Sequence, residues 1–132
     1  MLLVPVHLKH HWCMTIVDFR LQQITYFDSM FGRNDSFLED VLNYLRDEMM
    51  DKKGTRLNAE DWLLRHSEDH PPQLNCWDCG VFALKFADYA SQDLQINFRH
   101  AAFPSTDDVR DTEIIDFTDR LGAVLVLRGA FD

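Results

Sequence analysis

Gln73-Leu74-Asn75-Cys76-Trp77-Asp78-Cys79-Gly80 runs directly into Val81-Phe82-Ala83-Leu84-Lys85-Phe86-Ala87-Asp88-Tyr89-Ala90. The first eight residues form a polar loop. Nearly all of the next ten are Val, Phe, Ala, Leu or Tyr, which predicts a helix that is hydrophobic on most sides and sits in the middle of its domain. Cys79 falls at or near the first turn of that helix. Unpaired amide donors and the positive end of the macrodipole favour a thiolate there, and the thiolate is the attacking form of the side chain. Just upstream, His70-Pro71-Pro72-Gln73 reads as an extended loop, because each proline pushes its predecessor away from helix.

A thiolate at a helix start becomes catalytic only with partners, and the N-terminal third of the chain offers them. Leu2 to Leu8 and His11 to Phe19 are apolar and β-branched enough to read as strands; Asp18 to Gln23 is a polar turn, and Ile24-Thr25-Tyr26-Phe27 is a further strand. In the resulting hairpin His11 begins one arm and Asp28 ends the other. Antiparallel pairing brings both to the same open end, within a few residues of register. His11 is then the imidazole available to Cys79, and Asp28 is the carboxylate that can hold its other ring nitrogen. Gln73 stands six positions before Cys79, and its side-chain amide can turn toward the Cys79 N–H, giving two donors where an oxyanion would develop. Each of these residues alone is ordinarily structural. Their joint occurrence points to nucleophilic catalysis by a thiol.

After Asp28 the period changes. Phe37, Val41, Leu45 and Met49 recur every four residues, flanked by Leu38, Leu42 and Tyr44, which predicts a helix over about 37–51 with a core-facing stripe. Ser36 and Glu39 have the spacing of a capping box at its start. Residues 51–60 are charged and turn-rich, and Trp62-Leu63-Leu64 has the character of a short strand. Thr112 to Leu121 is helically spaced, and Val124 to Leu127 is a short apolar run with no evident partner.

The bulk composition limits the possible functions. With 132 residues, 46% hydrophobic and 12% aromatic, the chain has the make-up of one globular domain. A net charge of −9 and the lack of a basic stripe argue against nucleic acid and favour protein partners. Three cysteines, an odd count, do not make a secreted disulfide framework, and no stretch reads as a signal peptide or membrane span. The expectation is an intracellular protein of the nucleus or cytoplasm, with no membrane association, no cofactor and no metal, in which a free thiol remains available.

A set of motifs in fixed order makes the reading more specific. Val4-Pro5-Val6-His7, His11-Trp12-Cys13, Val17-Asp18-Phe19-Arg20, Ile24-Thr25-Tyr26-Phe27-Asp28-Ser29-Met30, Asp51-Lys52-Lys53, Gln73-Leu74-Asn75, Asp78-Cys79-Gly80 and Ile96-Asn97-Phe98 resemble the sentrin/SUMO-specific cysteine proteases, the Ulp/SENP family. The resemblance runs from about Val4 to Phe98. It implies a papain-like α/β (α+β) fold, cleavage after the C-terminal Gly-Gly of a SUMO-like modifier, and SUMO-conjugated proteins as partners. By position in the motifs, His11 resembles the family histidine because it directly precedes Trp12, Asp28 the orienting acid, Cys79 the nucleophile and Gln73 the oxyanion donor. Trp12 resembles the tryptophan that roofs the narrow channel for the diglycine tail.

The chain also departs from the family pattern. Nothing in it corresponds to the family's front portion, so the expectation is a single partial domain over 1–132, truncated on its N-terminal side. Cys76 stands where relatives usually have glycine, and the stretch from Ala101 onward, with Asp107, Asp108 and Asp111, replaces a basic terminal helix. Three other readings stay open at this level. The chain can be a SUMO-binding module with little or no activity. Cys76-x-x-Cys79 before a helix also fits a thiol–disulfide oxidoreductase, although a Pro-Pro loop stands where such a motif wants a strand. A zinc site built from the two cysteines and two histidines lacks a second pair at finger-like spacing.

Overall fold

The structure, a computed structural model, describes residues 1–98 of the chain. Three strands come first: β1 (Leu2–Leu8), β2 (His11–Asp18) and β3 (Gln23–Phe27). Helix α1 (Asp35–Lys53) follows, then a single 3-10 turn at Ala59–Asp61, strand β4 (Leu63–His66) and helix α2 (Cys79–Ser91). The sheet order is β1-β2-β3-β4. The first three strands form an antiparallel meander, whereas β4 returns through α1 to lie parallel to β3. The two helical and strand segments expected over 112–127 lie outside the described residues.

Alternation along the strands sends side chains to two separate cores. Val6, Cys13, Val17, Ile24 and Tyr26 pack with Leu38, Val41 and Leu45 of α1. Leu3, Met14, Ile16 and Phe27 pack with Phe82, Ala83, Phe86 and Ala87 of α2. A helix thus covers each face of the sheet, which explains why β2 and β3 read as nearly continuous apolar runs rather than as alternating ones. The α2 helix is laid against β2, and its inward face carries Phe82 and Phe86 at 0% and 1% exposure. Phe27 stacks on Phe86 with ring centroids 5.2 Å apart, which docks the helix over the end of β3. Leu84, Tyr89 and Ala90 are only partly buried, so α2 is less enclosed than its composition predicts.

Two local expectations need correction. The capping box at Ser36 and Glu39 does not form. Helix α1 starts earlier, with Asn34 as N-cap: its side-chain oxygen accepts from the Phe37 amide at 3.3 Å, and Ser36 Oγ donates to the same oxygen. Asn34 prevails because its own N–H is already anchored, donating to His66 Nε2 at the end of β4. At the other end the helix runs on to Lys53. It stops at Gly54, whose left-handed backbone (φ 59°) lets Gly54 and Thr55 donate to the Met50 and Met49 carbonyls. The expected strand over Trp62-Leu63-Leu64 begins one residue later and runs to His66. Trp62 instead closes the 3-10 turn and meets Phe19 edge to face at 5.8 Å.

Candidate active site

The open end of the β2–β3 hairpin sets the geometry. The β2–β3 ladder ends at Met14 opposite Phe27, so one step further Cys13 faces Asp28, and His11 lies two residues beyond on the same side. His11 Nε2 donates to Asp28 Oδ1 at 2.6 Å, a short charge-assisted bond. The Met30 amide donates to the same oxygen at 2.8 Å, and Phe31 N donates to the Asp28 carbonyl at 2.9 Å, so the chain folds tightly over the carboxylate. Phe31 takes up this turn with a left-handed backbone, φ 59°. Gly32 completes it: a Cβ there would lie 2.5 Å from Asp28 Oδ2, so no larger residue fits while the carboxylate keeps its position. With Nε2 committed to Asp28, the imidazole has Nδ1 left for proton exchange.

The thiol comes from the opposite side of the sheet. Cys79 is the first residue of α2 and is 7% exposed. The next residue, Gly80, lies under Trp12, with a Cβ position 3.9 Å from Trp12 Cδ1. Trp12 follows His11 on β2, stacks on His7 of the paired strand at 4.3 Å, and is 39% exposed. The histidine, the tryptophan and the start of α2 therefore share one end of the fold. Asn75 shapes the approach to the helix. Its side-chain oxygen accepts from the Trp77 and Asp78 amides at 3.1 and 3.0 Å, and its amide donates to Asp78 Oδ2 at 2.6 Å.

Gln73 is buried and fastened to the same turn as the acid. Ser29 Oγ donates to Gln73 Oε1 at 2.6 Å, and Gln73 N donates to the Ser29 carbonyl at 2.9 Å. That polarity directs Nε2 into the loop before Cys79, where it donates to the Asn75 carbonyl at 2.7 Å and makes a longer contact of 3.4 Å to Asn75 Oδ1.

Sequence reasoning missed Cys13 and Tyr26. Cys13 is fully buried beside the acid, and its thiol is pushed up to about 12, first by burial and also by the neighbouring Asp28 charge. Tyr26, whose hydroxyl is also pushed upward by burial, packs in the same core beside Cys13. The signal was available: position 13 is two residues from position 11 in a strand, so both side chains share a face. Ligating atoms of His11, Cys13 and Asp28 lie within 4.8 Å of one another, which makes them the candidate metal cluster among the described residues. With the histidine nitrogen already bonded to the acid at 2.6 Å and Cys13 wholly enclosed, the three fit a packed polar cluster better than a metal cage, which needs free ligand atoms and an entry path. Cys76 is exposed, and Cys76 and Cys79 are both free thiols. No helix of the described residues is long and apolar enough to cross a membrane.

A helix that begins with a cysteine, and a strand-borne histidine–acid pair at the same end of a sheet with a helix on each face, belong to the class of papain-like α/β folds. The profile of the Ulp1 protease family, C-terminal catalytic domain, matches residues 1–122, and the chain belongs to that family. Sentrin-specific protease 2 of Mus musculus is 40% identical over 106 residues, covering 79% of this chain and 18% of the mouse protein. The C-terminal Ulp1 protease domain solved in complex with Smt3, the yeast orthologue of SUMO, aligns with a TM-score of 0.57 at 31% identity. That match covers 71% of this chain and 42% of the solved one. The SUMO protease Ulp1 with its catalytic cysteine oxidized to a sulfenic acid aligns with a TM-score of 0.63 at 27% identity, covering 86% of this chain and 49% of that one. The chain thus spans under a fifth of the mouse relative's length and about half of each solved domain.

Proposed function

We propose that this chain carries the catalytic residues of a cysteine protease that removes SUMO-like modifiers, cutting after their C-terminal Gly-Gly. The observation that carries the reading is the 2.6 Å bond from His11 Nε2 to Asp28 Oδ1, at the sheet end where Trp12 meets the helix that begins with Cys79. Relatives named as sentrin-specific proteases, and a related domain solved with Smt3, supply the class of substrate. SUMO-conjugated proteins are then the partners, and a reducing intracellular compartment, nuclear or cytoplasmic, suits the free thiol.

In this reading the Cys79 thiolate attacks the carbonyl carbon of the terminal glycine. The negative oxygen that forms accepts from the Cys79 N–H and from Gln73 Nε2, whose long contact to Asn75 Oδ1 is the one an oxyanion would replace. His11 Nδ1 gives its proton to the departing lysine amine as the C–N bond breaks, leaving a thioester. Water then loses a proton to the same nitrogen and attacks the thioester, which frees the modifier's carboxylate and restores the thiol. Asp28 keeps the imidazole turned toward the thiol and stabilises its charged form. Trp12 roofs the approach and selects a tail without side chains.

A second reading, a module that binds the modifier without turnover, is favoured by the Gln73 amide, whose Nε2 is taken up by the Asn75 carbonyl at 2.7 Å. A modifier-derived probe with a C-terminal electrophile separates the two. Wild type labelled at Cys79, with Cys79→Ser unlabelled, is the expected result. Saturable binding with no labelling of the wild type would establish the module instead.

A further inference from the structure

The His11–Asp28 bond has a supporting layer that the proposed mechanism does not use. Cys13 and Asp28 face each other one step past the last ladder pair, on the side of the sheet that also carries Tyr26. The Cys13 sulfur lies within 4.8 Å of both a carboxylate oxygen of Asp28 and a ring nitrogen of His11. Both Cys13 and Tyr26 are almost wholly enclosed, at 0% and 1% exposure. No solvent therefore competes for their hydrogen bonds, and each bond orients its acceptor more strongly than it would at the surface.

The direction of the bonds follows from the chemistry. A buried thiol next to a carboxylate keeps its proton, so S–H is the donor and Asp28 the acceptor. The Tyr26 hydroxyl, enclosed in the same cluster, is the neighbouring group able to donate to the sulfur. Oδ1 of Asp28 already receives His11 Nε2 and the Met30 amide. A further donor from the sheet side leaves the carboxylate little freedom to rotate.

We propose that Cys13 is a positioning residue: its thiol, backed by the Tyr26 hydroxyl, fixes the Asp28 carboxylate and through it the orientation of the His11 ring. This inference rests on the protease reading for its effect on turnover, but not for its effect on the ring. Cys13 and Tyr26 touch no substrate in it. Cys13→Ser keeps a donor at the site, Cys13→Ala removes it, and Cys13→Val removes it while keeping the space filled in a strand that favours β-branched residues.

The test measures these three variants and Tyr26→Phe in the 132-residue chain. On a modifier substrate, Cys13→Ala and Cys13→Val should lower kcat about tenfold with KM within about twofold, as expected for a lost bond to a charged group. Cys13→Ser should stay within about threefold of wild type, and Tyr26→Phe should fall between. The second readout needs no turnover: the downfield proton resonance of the His11 Nε2–H···Asp28 bond should be sharp in wild type and Cys13→Ser, and broadened or lost in Cys13→Ala and Cys13→Val. Inactive wild type with this resonance pattern intact would reject the protease reading and keep the positioning role. A resonance unchanged in Cys13→Val, a Cys13→Ser variant as impaired as Cys13→Ala, or stoichiometric zinc retained by wild type after chelator dialysis but lost in Cys13→Ser would each overturn the proposal.

Discussion

Replacing Gly32 with alanine tests the geometry of the acid without touching it. The added Cβ would sit 2.5 Å from Asp28 Oδ2, where ordinary contact begins at 3.4 Å, so about 0.9 Å of movement is required. The carboxylate cannot supply that freely, because Oδ1 is bonded to His11 Nε2 at 2.6 Å and to the Met30 amide at 2.8 Å. Either the carboxylate rotates away from the imidazole, or the turn after it lifts and loosens the Met30 bond. A misplacement near 1 Å in a catalytic constellation costs up to about a hundredfold in rate. Gly32→Ala is therefore expected to lower kcat/KM by about 10- to 100-fold, or about 1.4–2.7 kcal/mol of transition-state stabilisation. The assay is hydrolysis of a fluorogenic amide at the modifier C-terminus by wild type, Gly32→Ala, Asp28→Ala and the double variant. If the clash acts through the acid, the double variant should be no slower than Asp28→Ala alone. Wild-type activity in Gly32→Ala, or a full additional loss in the Asp28→Ala background, would refute the reasoning.

Three further outcomes follow from the same structure. Gln73→Ala should reduce kcat about 100- to 1,000-fold with little change in KM if Nε2 is an oxyanion donor, and equal losses in modifier binding would assign it a ground-state role instead. Arg20 hydrogen-bonds Asp18 and holds its carboxyl down to about 2, below the ordinary value near 3.9. That contribution is present above about pH 4 and is lost as pH falls toward 2, so urea midpoints should drop across this window in wild type and less in Arg20→Ala. High salt should shrink the difference, since Arg20 is exposed. Phe86→Ala, which empties a site 1% exposed between α2 and the sheet, should cost about 3–5 kcal/mol in denaturant unfolding. A loss below about 1 kcal/mol would mean that α2 is not docked as described.

What the sequence made legible was what depends on local spacing. The hairpin is read from two apolar runs around a polar turn, and its consequence, His11 meeting Asp28, follows from antiparallel pairing alone. The α1 stripe and the α2 start at Cys79 are equally local. The cap of α1 was misread because Ser36 and Glu39 satisfy a pattern, while the preference for Asn34 comes from His66, which is 32 residues away in the chain and adjacent only after β4 has paired with β3. Cys13 was named only within the His11-Trp12-Cys13 motif, with no role assigned to it. Its importance depends on what stands across the ladder, and that requires the exact register. Ser29 was not singled out either, although it buries the bond that sets which way the Gln73 amide points.

The site is assembled from parts of different origin, and this has a consequence for its robustness. His11, Cys13, Tyr26 and Asp28 lie on the α1 side of two adjacent strands, joined by a hairpin whose ends are close in the chain. Cys79 belongs to α2, which packs on the other face through Met14, Ile16 and Phe27 and follows α1 and β4 in the chain. The histidine–acid pair thus depends on local pairing, whereas the thiol's approach depends on a long-range aromatic contact. Weakening that contact should separate the two. Phe86→Ala, at denaturant concentrations below its unfolding transition, is expected to lose labelling of Cys79 by a modifier probe while the His11–Asp28 proton resonance persists. Simultaneous loss of both signals would show instead that the hairpin end has no fixed geometry without α2 against it.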